Sequence, residues 1–177
     1  MKEHLFILGP PSSGKLSVSL SISRMNGFKI FDNSKTVDIA ALLYDFNTPD
    51  YRRYRDSLRF QFYTELLMSN IDGLISTFCY SGPDNNNYLN SIDYFLRKGG
   101  YITYFIYLIA SENLLLNRVV DDSRTFKKTF HEIQSLKGWL KNNPFWNQIN
   151  IRNLISVNTD SIGVDEIATT ILSQVKR

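Results

Sequence analysis

The residues with the clearest chemical potential form a glycine-bounded loop near the start of the chain, from Gly9 to Lys15. Its G-x-x-x-x-G-K pattern is typical of a phosphate-binding loop, the Walker A motif. Glycine permits backbone angles that other residues resist, so successive N–H groups can turn inward around a phosphate, and the lysine ammonium then reaches the β and γ oxygens. The loop therefore predicts binding of ATP or another NTP through the following residues: Gly9, Pro10, Pro11, Ser12, Ser13, Gly14, Lys15, Leu16 and Ser17.

The segments on either side of this loop fit the same interpretation. An apolar run at residues 5–8 predicts a strand, and the pairs Leu16 with Leu20 and Val18 with Ile22 have helical spacing. A bound anion would then lie at a helix N-terminus, where backbone N–H groups lack partners within the helix. The competing interpretation is an ordinary Gly/Pro/Ser turn between a strand and a helix.

Two departures from the usual motif concern the metal that accompanies a nucleotide. Leu16 occupies the position where Ser or Thr normally holds Mg²⁺, and the next hydroxyl, on Ser17, lies about 100° further round the helix. The third predicted strand ends in Thr77, Phe78 and Cys79, where many P-loop NTPases carry an acidic residue linked to the metal. We therefore predict no direct metal ligand from the protein, and expect Mg²⁺ to be held by phosphate oxygens and water.

Asp32 and Asn33 follow the second predicted strand, at the edge where open α/β sheets place their ligands. In a kinase, Asp32 would orient the acceptor hydroxyl as a base or hold Mg²⁺ through water, with Asn33 beside it in the substrate site. The alternative is that the pair only forms a turn after the strand.

Strands and helices alternate along the whole sequence, which predicts a parallel sheet of about five strands in a three-layer α/β/α fold. We expect one domain spanning residues 1–177. Residues 51–66 form a long helix with Tyr51, Tyr54, Leu58, Phe62 and Leu66 on one face. The predicted strands are residues 5–8, 28–31, 74–79, 101–109 and 154–157, and the other helices are 16–22, 37–46, 89–96, 111–120, 130–140 and 164–175.

Composition narrows the classes of protein and partner. The net charge is +3 with a sequence pI near 8.9, and the positive residues are dispersed, which favours a polyphosphate site over a nucleic-acid tract. One cysteine, Cys79, excludes an internal disulfide and is expected to be buried in the core of a protein from a reducing compartment. No apolar run is long enough for a membrane span or a signal peptide, so we expect a cytoplasmic protein.

The chain resembles the small-molecule and nucleotide kinases of the P-loop class, which include shikimate kinase and adenylate kinase. It resembles more closely a family of small bacterial P-loop or AAA-type ATPases whose members largely lack assigned substrates. That family often has an aliphatic residue and then Thr after the lysine, matched here by Leu16 and Ser17, and often His where this chain has Ser34. The resembling segments are residues 9–17, 31–33, 36–38, 72–78, 118–120, 123–124 and Lys128.

This resemblance implies roles for residues that spacing alone leaves open. Arg118 and Arg124 fall where these kinases carry an arginine lid over the transferred phosphoryl group, so residues 118–143 are expected to form a lid. Arg59 lies in the region that binds the acceptor, where it would clamp an anionic group, and Asn158 with Thr159 fall where such kinases contact the nucleotide base. The alternatives are a solvated helix end for the two lid arginines, a surface position for Arg59 and a simple turn at residues 158–159.

The sequence therefore favours an enzyme that transfers the γ-phosphoryl group of ATP, with Mg²⁺, to a small-molecule acceptor. Lys15, Asp32, Arg118 and Arg124 are the candidate catalytic residues. The first alternative is a nucleotide-binding module without catalysis, and the second is a kinase acting on nucleic-acid ends.

Overall fold

The computed structural model describes residues 2–119 and 133–175, and its centre is a five-stranded sheet in the order β2-β3-β1-β4-β5. Every neighbouring pair of strands is parallel. The strands are β1 Lys2–Gly9, β2 Lys29–Phe31, β3 Gly73–Cys79, β4 Tyr101–Ile109 and β5 Leu154–Asn158. The helices are α1 Lys15–Asn26, α2 Ser34–Ala40, α3 Pro49–Met68, α4 Asn86–Lys98, α5 Glu112–Val119, α6 Ile133–Asn142 and α7 Val164–Val175, with a 3₁₀ turn at Pro83–Asn85.

The central strand β1 is buried on both faces, and its alternating side chains divide the core in two. Phe6 and Leu8 point to one face of the sheet, and Leu5 and Ile7 to the other. The first face packs on α3 and α4 through Tyr63, Leu66, Leu89, Ile92 and Leu96. The second packs on α1 and α7 through Val18, Ile22, Ile167, Ala168 and Ile171. The predicted three-layer α/β/α fold is therefore confirmed.

A third, smaller core lies beyond the end of β4, where α5 packs against α6. It is built by Ala110, Leu115, Val119, Leu136 and Leu140. The predicted lid covers residues 118–143. Residues 120–132, which include Arg124, lie outside the described residues. The lid therefore stays a prediction.

Two predicted details differ from the structure. The second helix was expected at residues 37–46, but α2 ends at Ala40 and is followed by turns in which Leu42 is 78% exposed. Apolar side chains that point to solvent give a helix no face to bury, so the apolar pattern there was misleading. On α1, Leu20 is 48% exposed and Leu16 is half-buried and outside the core clusters, so this pair does not form the buried face of the helix.

No helix within residues 2–119 and 133–175 combines the length and apolar character needed to cross a membrane.

Candidate functional site

The loop between β1 and α1 has the backbone geometry that its glycines predict. Gly9, Ser12 and Gly14 have φ values of 154°, 67° and 89°. A Cβ atom added to Gly9 would lie 2.7 Å from the Ser13 Oγ and 3.2 Å from the carbonyl oxygen of Leu108, so the loop closes too tightly for any larger residue. Gly14 is the N-cap of α1, and no described side chain caps this end, which leaves the first N–H groups of the helix for an anion.

Lys15 begins α1, and its ammonium group lies back across the loop. Its Nζ donates to the carbonyl oxygens of Pro10 and Gly9, at 2.6 and 3.1 Å, and contacts the Ser13 Oγ at 3.4 Å. The positive charge is thereby held over the loop, close to the N-terminal end of the helix. Both features favour the binding of a polyphosphate at this position.

Arg118 reaches the same loop from the last turn of α5. Its Nη1 donates to the carbonyl oxygen of Ser13 at 3.2 Å, and its Nη2 donates to the carbonyl oxygen of Thr159 at 3.3 Å. Burial lowers the pKa of Arg118 and the Asp160 carboxylate raises it, but arginine remains charged at neutral pH. The structure thus brings three predicted elements together: the phosphate-binding loop, Arg118 and Thr159.

The turn after β5 is held mainly by its own backbone. The Thr159 N–H donates to the carbonyl oxygen of Ile109 at 2.8 Å, and the Asn158 Oδ1 accepts from the Asp160 N–H at 2.8 Å. The Asp160 Oδ1 accepts from the Ser111 N–H at the start of α5. These bonds agree with the turn interpretation of Asn158 and Thr159, and contact of these two residues with a nucleotide base stays a prediction.

Asp32 lies on the same edge of the sheet as the loop, two strands away. Its Oδ1 accepts from the Thr77 Oγ1 at 2.9 Å and from the Ser34 N–H at 3.3 Å. β3 lies between β2 and β1, with Cys79 opposite Gly9, and adjacent strands are about 4.8 Å apart. The backbone of Asp32 therefore lies roughly 10 Å across the sheet from the loop, by the same spacing, and its carboxylate is fixed to Thr77 on the strand between them.

Arg59 is only 8% exposed, so the alternative of a surface position for this arginine is wrong. Its Nε donates to the Asn33 Oδ1 at 2.7 Å, and its Nη1 donates to the Asp56 Oδ1 at 3.0 Å. The guanidinium also lies 5.6 Å from the ring centroids of both Phe78 and Tyr88. These partners compensate the cost of burying the charge, although burial still lowers the pKa of Arg59.

The sequence analysis misplaced Arg59 because it assigned the wrong stripe of α3 to the core. The buried residues of this helix are Tyr51, Arg59, Tyr63 and Leu66. Tyr51 and Leu66 belong to both sets, but Arg59 and Tyr63 are buried in place of their predicted neighbours Leu58 and Phe62, a shift of one residue in the middle of the helix. The usable signal was the spacing of Tyr51, Arg59 and Tyr63 in multiples of four, which indicates one helix face.

Asn33 is buried beside this arginine, and its own backbone N–H donates to the Thr77 Oγ1 at 3.2 Å. The roles of Asp32, Asn33 and Arg59 in substrate binding stay predictions, because only Asp32 of the three is partly open to solvent.

Cys79 is the last residue of β3 and is exposed, which contradicts its expected place in the core. Phe78 and Tyr80, on either side of it, belong to the core that packs on α3 and α4, whereas Cys79 points to the other face of the sheet. Cys79 therefore lies at the end of β3, opposite Gly9 of the phosphate-binding loop.

The described residues fit a polyphosphate better than they fit a metal ion. The loop is closed too tightly for a Cβ at Gly9, and a lysine and a helix N-terminus face its interior. In the part of the chain that the structure describes, no group of three or more His, Cys, Asp or Glu side chains could hold a metal ion. The predicted Mg²⁺ would therefore have to enter with the nucleotide phosphates, and the role of Asp32 in orienting its water ligands stays a prediction.

Comparison with known proteins identifies the fold but no sequence family. No protein-family model matches the chain, and no curated protein matches its sequence. Among solved structures it is similar to shikimate kinase from Acinetobacter baumannii in complex with shikimate, at 16% identity, with a TM-score of 0.63 and coverage of 99% of this chain and 94% of that one.

Two further solved structures show a similar agreement. A gluconokinase from Sinorhizobium meliloti 1021 has 15% identity, a TM-score of 0.62 and coverage of 99% of this chain and 92% of its own. The tunicamycin resistance protein of Deinococcus radiodurans has 16% identity, a TM-score of 0.64 and coverage of 99% and 96%. The predicted P-loop kinase-like fold is therefore confirmed over nearly the whole chain.

Proposed function

We propose that this chain, which has the fold of the P-loop kinases, is a kinase that transfers the γ-phosphoryl group of ATP to a hydroxyl group of a small molecule. The observation that carries this proposal is the convergence at one sheet edge of Lys15, the uncapped N-terminus of α1 and Arg118. A carboxylate, Asp32, is fixed on the same edge. Phosphoryl transfer requires such positioning and charge compensation more than any covalent chemistry by the protein.

The loop residues have distinct roles in this proposal. The N–H groups of the loop and Lys15 hold the β and γ phosphates, and Arg118 fixes the nucleotide on the side of the loop that faces Thr159. Arg124, outside the described residues, is proposed to stabilise the charge that develops on the transferred group. Mg²⁺, when bound with the nucleotide, supplies further neutralisation of the phosphate charge.

Asp32 is proposed to act on the acceptor. Its carboxylate accepts a hydrogen bond from the acceptor hydroxyl and takes its proton as the hydroxyl oxygen forms a bond to the γ phosphorus. The bond between that phosphorus and the oxygen bridging to the β phosphate breaks at the same time, and ADP leaves. Asn33 and Arg59 build the wall of the acceptor site next to Asp32.

The test is transfer of labelled phosphate from [γ-³²P]ATP to a panel of acceptors. The panel includes shikimate, gluconate, nucleosides and antibiotics, in the presence of Mg²⁺. One acceptor should be phosphorylated by the wild-type protein, and both Lys15→Ala and Asp32→Asn should abolish the reaction. Transfer that survives in Lys15→Ala would refute this assignment of the site.

A second candidate is a nucleotide-binding module without catalysis. It is favoured by Leu16 and Thr77, which stand where a hydroxyl ligand and an acid are usual. Tight ATP binding with no transfer to any acceptor in the panel would support it. Oligonucleotides with 5′-hydroxyl ends belong in the same panel, since their phosphorylation would instead indicate a kinase of nucleic-acid ends.

A further inference from the structure

Thr77 lies near the end of β3, the stretch of residues 77–79 that lacks the expected acidic residue, and its hydroxyl is buried between two polar groups. Its Oγ1 accepts a hydrogen bond from the Asn33 N–H at 3.2 Å and contacts the Asp32 Oδ1 at 2.9 Å. The amide can only donate, so it occupies a lone pair of the oxygen. The single hydrogen of the hydroxyl is therefore left to be donated to the Asp32 carboxylate.

The backbone that carries Asp32 is also held from the opposite side. The Asn33 Oδ1 accepts from the Arg59 Nε at 2.7 Å, and the Asn33 carbonyl oxygen accepts from the Thr36 Oγ1 at 2.8 Å. Asn33 is thus fixed both to β3 and to α3. The Asp32 carboxylate has correspondingly little freedom to turn away from the sheet edge.

We propose that Thr77 is a positioning residue, which orients the Asp32 carboxylate so that Asp32 takes over the role of the acid missing from β3. This inference rests on the proposed function, because Asp32 needs a bound nucleotide on which to act. The carboxylate comes from the end of β2, and the neighbouring strand contributes only the hydroxyl that holds it. A hydrogen bond donated to a carboxylate favours its charged form and fixes its direction.

The experiment compares three variants with the wild-type protein: Thr77→Val, which removes the hydroxyl and keeps the shape, Thr77→Ser, which keeps the hydroxyl, and Asp32→Asn. Isothermal titration with a non-hydrolysable ATP analogue is carried out with and without Mg²⁺. Affinity without Mg²⁺ should be unchanged in Thr77→Val and in Thr77→Ser. The gain in affinity on adding Mg²⁺ should fall about tenfold in Thr77→Val and in Asp32→Asn, and should persist in Thr77→Ser.

Thr103→Val is a matched control, because Thr103 is also a buried strand threonine that bonds a side chain, the ring of His4, at 3.3 Å. It should leave the Mg²⁺-dependent gain unchanged. Urea unfolding of Thr77→Val, Asp32→Asn and the double variant measures how the two side chains affect stability in the absence of nucleotide. The two substitutions should have less than additive effects, because Thr77→Val removes the hydrogen bond that Asp32→Asn weakens by making its acceptor neutral.

The outcomes separate this inference from the proposed function. If wild-type protein binds the analogue and Thr77→Val shows the full Mg²⁺-dependent gain, the inference is refuted and the proposed function stands. A Thr77→Val protein that loses stability but keeps this gain would likewise reduce Thr77 to a structural role. If the wild-type protein does not bind the analogue, both fail. If Thr77→Val does not fold, a normal gain in Asp32→Asn is sufficient to refute the inference.

Discussion

His4 lies at the centre of the sheet with 0% exposure, and it makes the stability of the fold depend on pH. Its Nε2 lies 2.9 Å from the Ser76 Oγ and its Nδ1 lies 3.3 Å from the Thr103 Oγ1, both neutral hydroxyls. Burial lowers the pKa of His4 from 6.5 to about 3. Within the part of the chain that the structure describes, the folded state therefore contains a neutral imidazole bonded only to hydroxyls, with no carboxylate beside it to favour the protonated form.

The direction of the pH effect on stability follows from the number of protons that the folded and the unfolded chain bind. Below pH 6.5 the unfolded chain protonates His4 and the folded chain does not, down to pH about 3. Stability is thus fully present above the unfolded pKa and is lost as the pH falls between these values. The loss is about 1.4 kcal/mol per pH unit, or roughly 3 kcal/mol by pH ~4.5. That is a large part of the ~5–15 kcal/mol typical of a folded domain.

The assay is urea unfolding at a series of pH values for wild type and His4→Gln. Glutamine can bond the same hydroxyls but does not titrate, and all other titratable groups are common to both proteins. The stability of wild type relative to the variant should be constant above pH 6.5 and should fall by about 1.4 kcal/mol per unit below it. A difference that is independent of pH down to pH ~4.5 would refute the reasoning, whatever its absolute size.

Two further predictions concern the phosphate-binding loop. Gly9→Ala should cost ~1–3 kcal/mol of unfolding free energy and weaken ATP binding, because its Cβ would lie 2.7 Å from the Ser13 Oγ at a φ of 154°. Gly138→Ala is the control, because Gly138 lies within α6 and has open space around it. Its unfolding free energy should rise by ~0.5–1 kcal/mol in the same urea titrations. An equal loss of unfolding free energy in both variants would contradict the argument. Leu16→Thr should fold, because Leu16 is only half-buried, and should bind the Mg²⁺ complex of ATP more tightly while leaving metal-free binding unchanged. A Mg²⁺ titration that overlays that of wild type would remove this account of Leu16.

The fold could be predicted from the sequence because each of its main signals is local. The glycines of the first loop, the apolar strands and the alternation of strands with helices all depend on neighbouring residues, and all five predicted strands are present. The partners of Arg59 could not be predicted, because they are not local in the sequence. Its compensation comes from Asn33 and from the rings of Phe78 and Tyr88, which only the folded sheet brings together.

The same limit applies to Thr77 and Arg118. The sequence showed that an acid was missing from residues 77–79, but not that the Thr77 hydroxyl would hold Asp32 from another strand. The resemblance placed Arg118 in a lid. In the structure Arg118 contacts Ser13 and Thr159, which are 105 and 41 residues away from it in the sequence. Contacts of this kind depend on topology, which spacing within one segment does not encode.

The most direct test of the central claim is the thermal stabilisation of the protein by ATP in wild type and in Lys15→Ala. ATP should raise the melting temperature of the wild type, and this shift should disappear in Lys15→Ala because the ammonium over the loop is lost. Lys29→Ala, at an exposed position of β2, should keep the full shift and controls for the loss of one positive charge. An equal rise in melting temperature in wild type and Lys15→Ala would contradict the account, because the nucleotide would then bind elsewhere.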